Sequence, residues 1–258
     1  MAQSPERSNM PVMEQVHRLG EYFRPEVFVV VGIAGGVQRP ESEAAGARLT
    51  GPNLGDVVVA TFVHYADFLK NVPSGPYQRH FALDYPLSNL VAQHARSVRE
   101  YDWHRHIKAS PPPGTGTVVP KVHVDEIVVT ERVAGNPRCA DQIRLVKRFD
   151  KAQAVDMESV GVGRGLHYLR SIAVHYNPVW LSIRAISDPV QADDSVLESS
   201  LSEQEAIDLA NDKVRARWKP YAASVAAAYA GQVVARLLES PRDSAPEVPE
   251  APAWRFRA

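Results

Sequence analysis

Cysteine is nearly absent: Cys139 is the single one in 258 residues. One thiol cannot close a disulfide within the chain, and nothing in the sequence demands an oxidising compartment. A run of about 18 apolar residues, the length a membrane-spanning helix needs, is also missing. The N-terminus MAQSPERSNMPVMEQ is polar and lacks the apolar stretch of a signal peptide. These absences make a cytoplasmic protein with no membrane partner the expectation. Net charge is scarce too, since 29 Lys and Arg face 30 Asp and Glu. A formal charge of −1 gives no electrostatic reason to expect nucleic acid as a partner. GxGxxG, GxxxxGK[ST] and GxSxG are all missing, which removes the usual signals for dinucleotide binding, P-loop chemistry and a serine nucleophile elbow. No cofactor and no metal are implied.

What is present is ordinary core-forming material. The chain is 45% hydrophobic and 23% charged, enough to bury a sizeable core. Residues 11–24 carry Val12, Val16, Leu19 and Phe23 at helical spacing. EVFVVVGIAGG then reads as a buried strand running into a tight glycine turn. GDVVVATFV (55–63) is a second buried strand, 70–86 a long loop, and 86–101 a helix. KVHVDEIVVT (121–130) is a strand and 137–149 a helix with Pro137 near its first turn. Strand AQAVDM, a helix over 158–170 and strand VWLSIRAIS (179–187) follow. Two further helices are predicted near 202–216 and 219–238. Strands and helices alternate, so the expectation is one α/β domain around a parallel or mixed sheet. Residues 1–10 are expected to be loose, 11–238 to form the domain, and the Pro-rich tail 239–258 to be disordered.

Open α/β sheets hold ligands outside the C-terminal ends of their strands, and three such ends are unusual. GIAGG (32–36) lets backbone come close to a ligand, or is a plain turn. VDMES places Asp156 and Glu158 two apart. Either Asp156 caps the following helix and Glu158 is a first-turn acid favoured by the macrodipole, a reading that fits Glu158 less well, or a carboxylate here grips a sugar diol through its paired acceptor oxygens. IRAISDPV ends an apolar strand with Arg184, Ser187 and Asp188. The aspartate is either turn chemistry or, if apolar surroundings raise its pKa, a general acid. His104 and His106 lack a third ligand and read as packing or solvated residues. Tyr65, Phe68 and Tyr77 are candidates for a pocket wall or for core. The acids of 192–195 read as a solvated loop.

In order along the chain, RPEVFVVVGIAGGV, GDVVVATFVHY, AVDMESVGVG and IRAISDPV resemble the nucleoside phosphorylase/nucleosidase superfamily, most of all its methylthioadenosine/S-adenosylhomocysteine nucleosidase branch. The resemblance spans roughly residues 24 to 238. It implies a single-domain three-layer α/β/α fold with a central mixed sheet, and cleavage of the N-glycosidic bond of a purine nucleoside. On that pattern Asp188 would protonate or hydrogen-bond purine N7 and Ser187 would orient it. Arg184 would help position the water or phosphate nucleophile. Glu158 would hold the ribose hydroxyls and Met157 would pack on the ribose. Val133 and Ala134 would line the base, and Gly35 and Gly36 would contact the substrate. A homodimer with a purine nucleoside as its small-molecule partner is implied. Phosphate joins as a second ligand if the reaction is phosphorolysis, with Arg39, Arg48 and Arg132 as candidate anion ligands. A non-catalytic purine-binding module is the third reading.

Two departures qualify what the resemblance implies. Family members open with a glycine-rich strand and an acid that helps activate water, and no such strand precedes Arg24. The chain is therefore expected to be shortened at its N-terminus or to lack one strand. The position after the first glycine of the glycine turn, often a hydroxyl residue in nucleosidases, is Ile33.

Overall fold

A computed structural model describes residues 2–4, 6, 8–42, 48–73, 75–80, 89–173, 175–192 and 201–239. The chain opens with helix α1 (Asn9–Phe23), followed by β1 (Val27–Val37), β2 (Arg39–Pro40), β3 (Leu49–Thr50) and β4 (Val57–Tyr65). Then come β5 (Leu69–Val72), β6 (Gly75–Gln78), α2 (Asn89–Val98) and a 3-10 turn at Trp103–His106. β7 (Val122–Val129), α3 (Ala140–Arg148), β8 (Ala154–Asp156), α4 (Ser159–Ile172), β9 (Val179–Val190) and α5 (Leu201–Glu239) complete it.

Five strands make the central sheet, in the order β1-β8-β7-β4-β9. β1 runs parallel to β9 along its length, with a register shift between Ala34 and Gly35. Its end also pairs antiparallel with β8, while β7 runs parallel to both β8 and β4. β4 and β9 are antiparallel, so the sheet is mixed and each of its five strands has two partners. Continuous apolar runs form these strands because both faces are covered. Alternate residues feed two cores. Val57, Val59, Leu181 and Ile183 pack with Tyr221, Val225 and Tyr229 of α5. Val58, Ala60, Trp180 and Ile186 pack with Val16 of α1 and Leu166 of α4. The α1 and α4 helices approach closely through Gly161 and Gly165, where an added Cβ would crowd the Asn9 backbone and Val16. Among the described residues no helix is long and apolar enough to cross a membrane.

Four expectations need correction. The glycines 32–36 form no turn; they lie inside β1, paired with β9 throughout and with β8 at Gly35 and Gly36. The loop 70–86 contains the β5–β6 hairpin, which alternation could not reveal because most of its residues are exposed. The two C-terminal helices are one helix of 39 residues with Pro220 inside it. An interior proline costs a helix about 3 kcal/mol. Here Trp218 and Tyr221 flank it and are both buried, so packing holds the two halves in line. Pro137 also falls outside α3, whose N-cap position is Cys139. The acids 193–195 and the tail from 240 onward lie outside the described residues.

Candidate active site

Two polar clusters flank the glycine segment of β1. Gly35 pairs with Val155 of β8 on one side and Asp188 of β9 on the other. Positions 155 and 188 are therefore two strand spacings apart, roughly 10 Å. No side chain rises from Gly35 between them.

The first cluster gathers at the end of β8. Arg184 is 3% exposed, and all three of its guanidinium nitrogens are engaged. Nε lies 2.7 Å from Asp156 Oδ2 and donates to Ser182 Oγ at 3.2 Å. Nη2 donates to Ser159 Oγ at 3.0 Å and Nη1 to Glu158 Oε2 at 3.2 Å. Ser159 Oγ is also bonded to Ser182 Oγ, at 2.7 Å, and donates to Asp156. Arg184 and Asp156 thus pair inside a buried, hydrogen-bonded network, as burial of ions requires, with Glu158 as a second carboxylate at its more exposed edge. Arg184 anchors Glu158, whose side chain remains 21% exposed. Asp156 is not the N-cap of α4, because that position is Glu158 and the helix starts at Ser159. The aspartate serves as the buried counter-ion of Arg184. Met157, between Asp156 and Glu158 in sequence, is half-buried.

Glycine at 32 makes this arrangement possible. A Cβ there would overlap Arg184 Nη1, so the guanidinium crosses β1 only where the strand has no side chain. Gly32→Val is expected to destabilise the fold by about 1–3 kcal/mol, the usual cost of overpacking. Chemical denaturation checks this, and an unchanged midpoint would show that Arg184 has room to move.

The second cluster is built on Asp188, which is 3% exposed. Ser187 Oγ donates to its Oδ1 at 2.6 Å. Arg215, from α5, donates through Nη2 to its Oδ2 at 2.9 Å and to the Ala134 carbonyl at 3.3 Å. The Asp188 hydrogen bond raises the pKa of Arg215, so the guanidinium is a fixed cation here. A Cβ on Gly35 would overlap Val190 and lie 3.5 Å from Asp188 Oδ2. The glycine therefore keeps the ground beside this carboxylate clear.

Val133 and Ala134 follow β7 and line a cavity of about 480 Å³ with Thr130, Asn136 and Gln142. Asp188 and Glu158 are not among its lining residues; the link to Asp188 runs through Arg215 and Ala134. Tyr65, Phe68 and Tyr77 stay off its walls, and Arg164 instead lies over the Tyr65 and Phe68 rings. His104 stacks on Trp103 and its Nε2 lies 2.9 Å from the Pro120 carbonyl, a packing role. Among the described residues no group of three His, Cys, Asp or Glu is placed to hold a metal.

Sequence reasoning missed Arg215, Ser159 and Ser182. Ser182 sits mid-strand in an apolar run, where a fully buried hydroxyl signals a polar network. Arg215 gives no signal, because NDKVRARWK reads as a solvated helix face.

No family model matches the chain, and no curated protein matches it. Solved structures do: the chain has the fold of the nucleoside phosphorylase/nucleosidase superfamily, and 327 chains match. An S-adenosylhomocysteine nucleosidase from Streptococcus pyogenes, in complex with 5-methylthiotubericidin, is 16% identical with a TM-score of 0.58. That match covers 90% of this chain and 76% of the other. A 5′-methylthioadenosine/S-adenosylhomocysteine nucleosidase from Colwellia psychrerythraea, in complex with adenine, is 15% identical with a TM-score of 0.55, covering 91% and 76%. Futalosine hydrolase from Helicobacter pylori is 14% identical with a TM-score of 0.58, covering 90% and 78%. Identities this low establish the fold, and function has to be argued from the site.

Proposed function

We propose that this chain hydrolyses the N-glycosidic bond of a purine nucleoside or a 5′-substituted relative. The C1′–N9 bond breaks with its electron pair going to the purine. A water oxygen bonds to C1′, and one water proton ends on the released base. The observation that carries this reading is the pair of clusters across the bare Gly35 floor. One ends in Glu158, held outward by Arg184, and the other in Asp188, held by Ser187. A carboxylate at one end suits a ribose diol, and a carboxyl at the other suits a leaving base.

In this account Glu158 accepts hydrogen bonds from the ribose hydroxyls and Met157 packs against the sugar. Asp188 engages purine N7, with Ser187 orienting it. Val133 and Ala134 border the base, and Gly35 and Gly36 form the floor. Arg184 acts through Glu158 and is a positioning residue. The nucleosidases named above, which share the fold, support the reaction class.

Water is favoured over phosphate by where Arg39 and Arg132 point. Arg39 gives its donors to the Ala152 and Phe149 carbonyls, at 2.9 and 2.6 Å. Arg132 pairs with Asp141 at 2.6 Å. Base release from adenosine, inosine and methylthioadenosine, with and without phosphate, tests the reading. Turnover independent of phosphate is expected. Turnover that requires phosphate would make the chain a phosphorylase, and purine binding without turnover would make it a binding module.

Glu158→Gln separates the sugar end from the base end. The amide accepts at only one atom and carries no charge. The loss in kcat/KM should be larger on a ribonucleoside than on its 2′-deoxy analogue. Equal losses on both would remove Glu158 from the 2′-hydroxyl.

A further inference from the structure

We infer that Asp56 is a positioning residue for Asp188: it pins the place in β9 where one extra residue, Ser187, sets Ser187 and Asp188 side by side. The inference rests on Asp188 serving the base, as proposed above. β9 alternates regularly up to Ile186. Leu181, Ile183 and Ala185 face the core beneath α5, while Trp180 and Ile186 face the core beneath α1 and α4. Continued alternation would send Ser187 towards α5 and Asp188 back towards α4. Asp188 instead bonds Arg215 of α5. The register gives the cause. Ala34 pairs with Ile186, but the next residue of β1, Gly35, pairs with Asp188. Ser187 is therefore an extra residue, a bulge, and Asp188 takes the face of Gly35. Both side chains then share one face, which lets Ser187 Oγ donate to Asp188 Oδ1 at 2.6 Å between adjacent residues.

An extra residue can slip along its strand. One place further on, Ser187 would pair with Gly35, and Asp188 would become the extra residue and turn towards the other face. The residue before the bulge prevents this. Ile186 donates its N–H to the Asp56 carbonyl and accepts the N–H of Gly55, both at 2.9 Å. The Gly55–Asp56 peptide is held in turn by the Asp56 carboxylate, which is 3% exposed. Oδ2 accepts the Asn53 N–H at 2.9 Å and Oδ1 the Lys121 N–H at 2.8 Å, and His123 Nε2 lies 3.0 Å from Oδ2. One buried carboxylate thus ties the turn before β4 to the start of β7 and, through its own main chain, to Ile186. Gly55 has a φ of +88°, the left-handed region that favours glycine, and a Cβ there would lie 2.9 Å from Tyr221 of α5. The turn therefore has little room to swing.

The first test needs no catalysis. Chemical denaturation of Asp188→Ala, Arg215→Met and the double variant measures the coupling between those side chains, in the wild-type background and again with Asp56→Asn. Asparagine keeps the shape of the carboxylate but turns an N–H donor towards a backbone N–H, so the hold on Ile186 loosens. The coupling, a property of residues in contact, should fall by about half or more with Asp56→Asn. Coupling as strong there as in the wild type overturns the inference. Should Asp56→Asn not fold, His123→Ala takes its place, since it removes one partner of the carboxylate and leaves the backbone bonds; a smaller fall is expected, and unchanged coupling overturns the inference. Base release from a purine ribonucleoside gives the second readout. Asp56→Asn should lower kcat by about 10- to 100-fold with KM little changed, the effect of a displaced reacting group. Ser187→Ala should then cost less in the Asp56→Asn background than in the wild type, because both changes act on one Ser187–Asp188 pair. A loss confined to KM, or an equal cost of Ser187→Ala in both backgrounds, overturns the inference. A wild-type chain that neither releases nor binds a purine defeats the proposed function instead, and the coupling measurement still decides whether Asp56 sets Asp188.

Discussion

Asp188→Asn should lower kcat for base release by at least ~100-fold, within the usual range for loss of a general acid or base, while purine binding survives. The amide has the shape of the carboxyl. Its oxygen still accepts from Arg215, and its NH2 can still hydrogen-bond N7. What it cannot do is exchange a proton with the leaving base. The loss should therefore appear in kcat and not in KM, the signature of an interaction made only in the transition state. Two features of the site make a large effect the expectation. Asp188 is buried, so bulk water cannot substitute for it. It also pairs with Arg215, which would keep only the exposed Asp212 as a charged partner. Purine binding by titration and near-native denaturation of the variant separate lost chemistry from lost fold. Unchanged kcat would remove Asp188 from the mechanism and leave it as a structural partner of α5.

Asp156→Ala should be the most damaging single change to stability among these residues, at about 3–5 kcal/mol. The Asp156 side chain is fully buried and that of Arg184 nearly so. Removing the carboxylate leaves a cation in the interior with only Glu158, at 3.2 Å, as its charged partner. The loss would consume much of the roughly 5–15 kcal/mol that holds a typical domain together. Asp212→Ala is the control. Its side chain is 67% exposed, and removing it should change stability by less than about 0.5 kcal/mol. Chemical denaturation of both variants reads the difference. Equal, small effects would mean that the buried pair contributes little.

The strand skeleton was legible because burial on both faces leaves a plain trace. VVVA, EIVV and VWLSI read as interior strands for that reason; VFVVV reads the same way, although Val31 is exposed in the structure. The sequence also pointed to Glu158 and Asp188 as one pair thirty residues apart, and the structure sets their clusters on either side of β1. Less was legible where side chains act through space. The glycines of β1 signalled close approach, but not that the approaching groups were Arg184 and the carboxylate of Asp188. The role of Arg184 beside the nucleophile came from the resemblance alone, and the sequence did not show that its side chain crosses a bare stretch of β1 to reach Asp156 and Glu158. The break predicted between 216 and 219 is absent, because local rules cannot weigh Pro220 against the burial of Trp218 and Tyr221. Arg215 lay on the helix half that looked solvated. Its role follows from the unbroken length of α5, which no local pattern encodes.

The central claim is that Glu158 and Asp188 serve the two ends of one purine nucleoside. Chromatographic measurement of free base from a purine ribonucleoside, run with wild type, Glu158→Gln and Asp188→Asn side by side, tests it most directly. The account predicts base and free ribose in equal amounts from the wild type and a marked loss in both variants, with only the Glu158→Gln loss easing on the 2′-deoxy substrate. Base release that persists undiminished in both variants, or a wild-type chain that neither releases nor binds any purine, would contradict it.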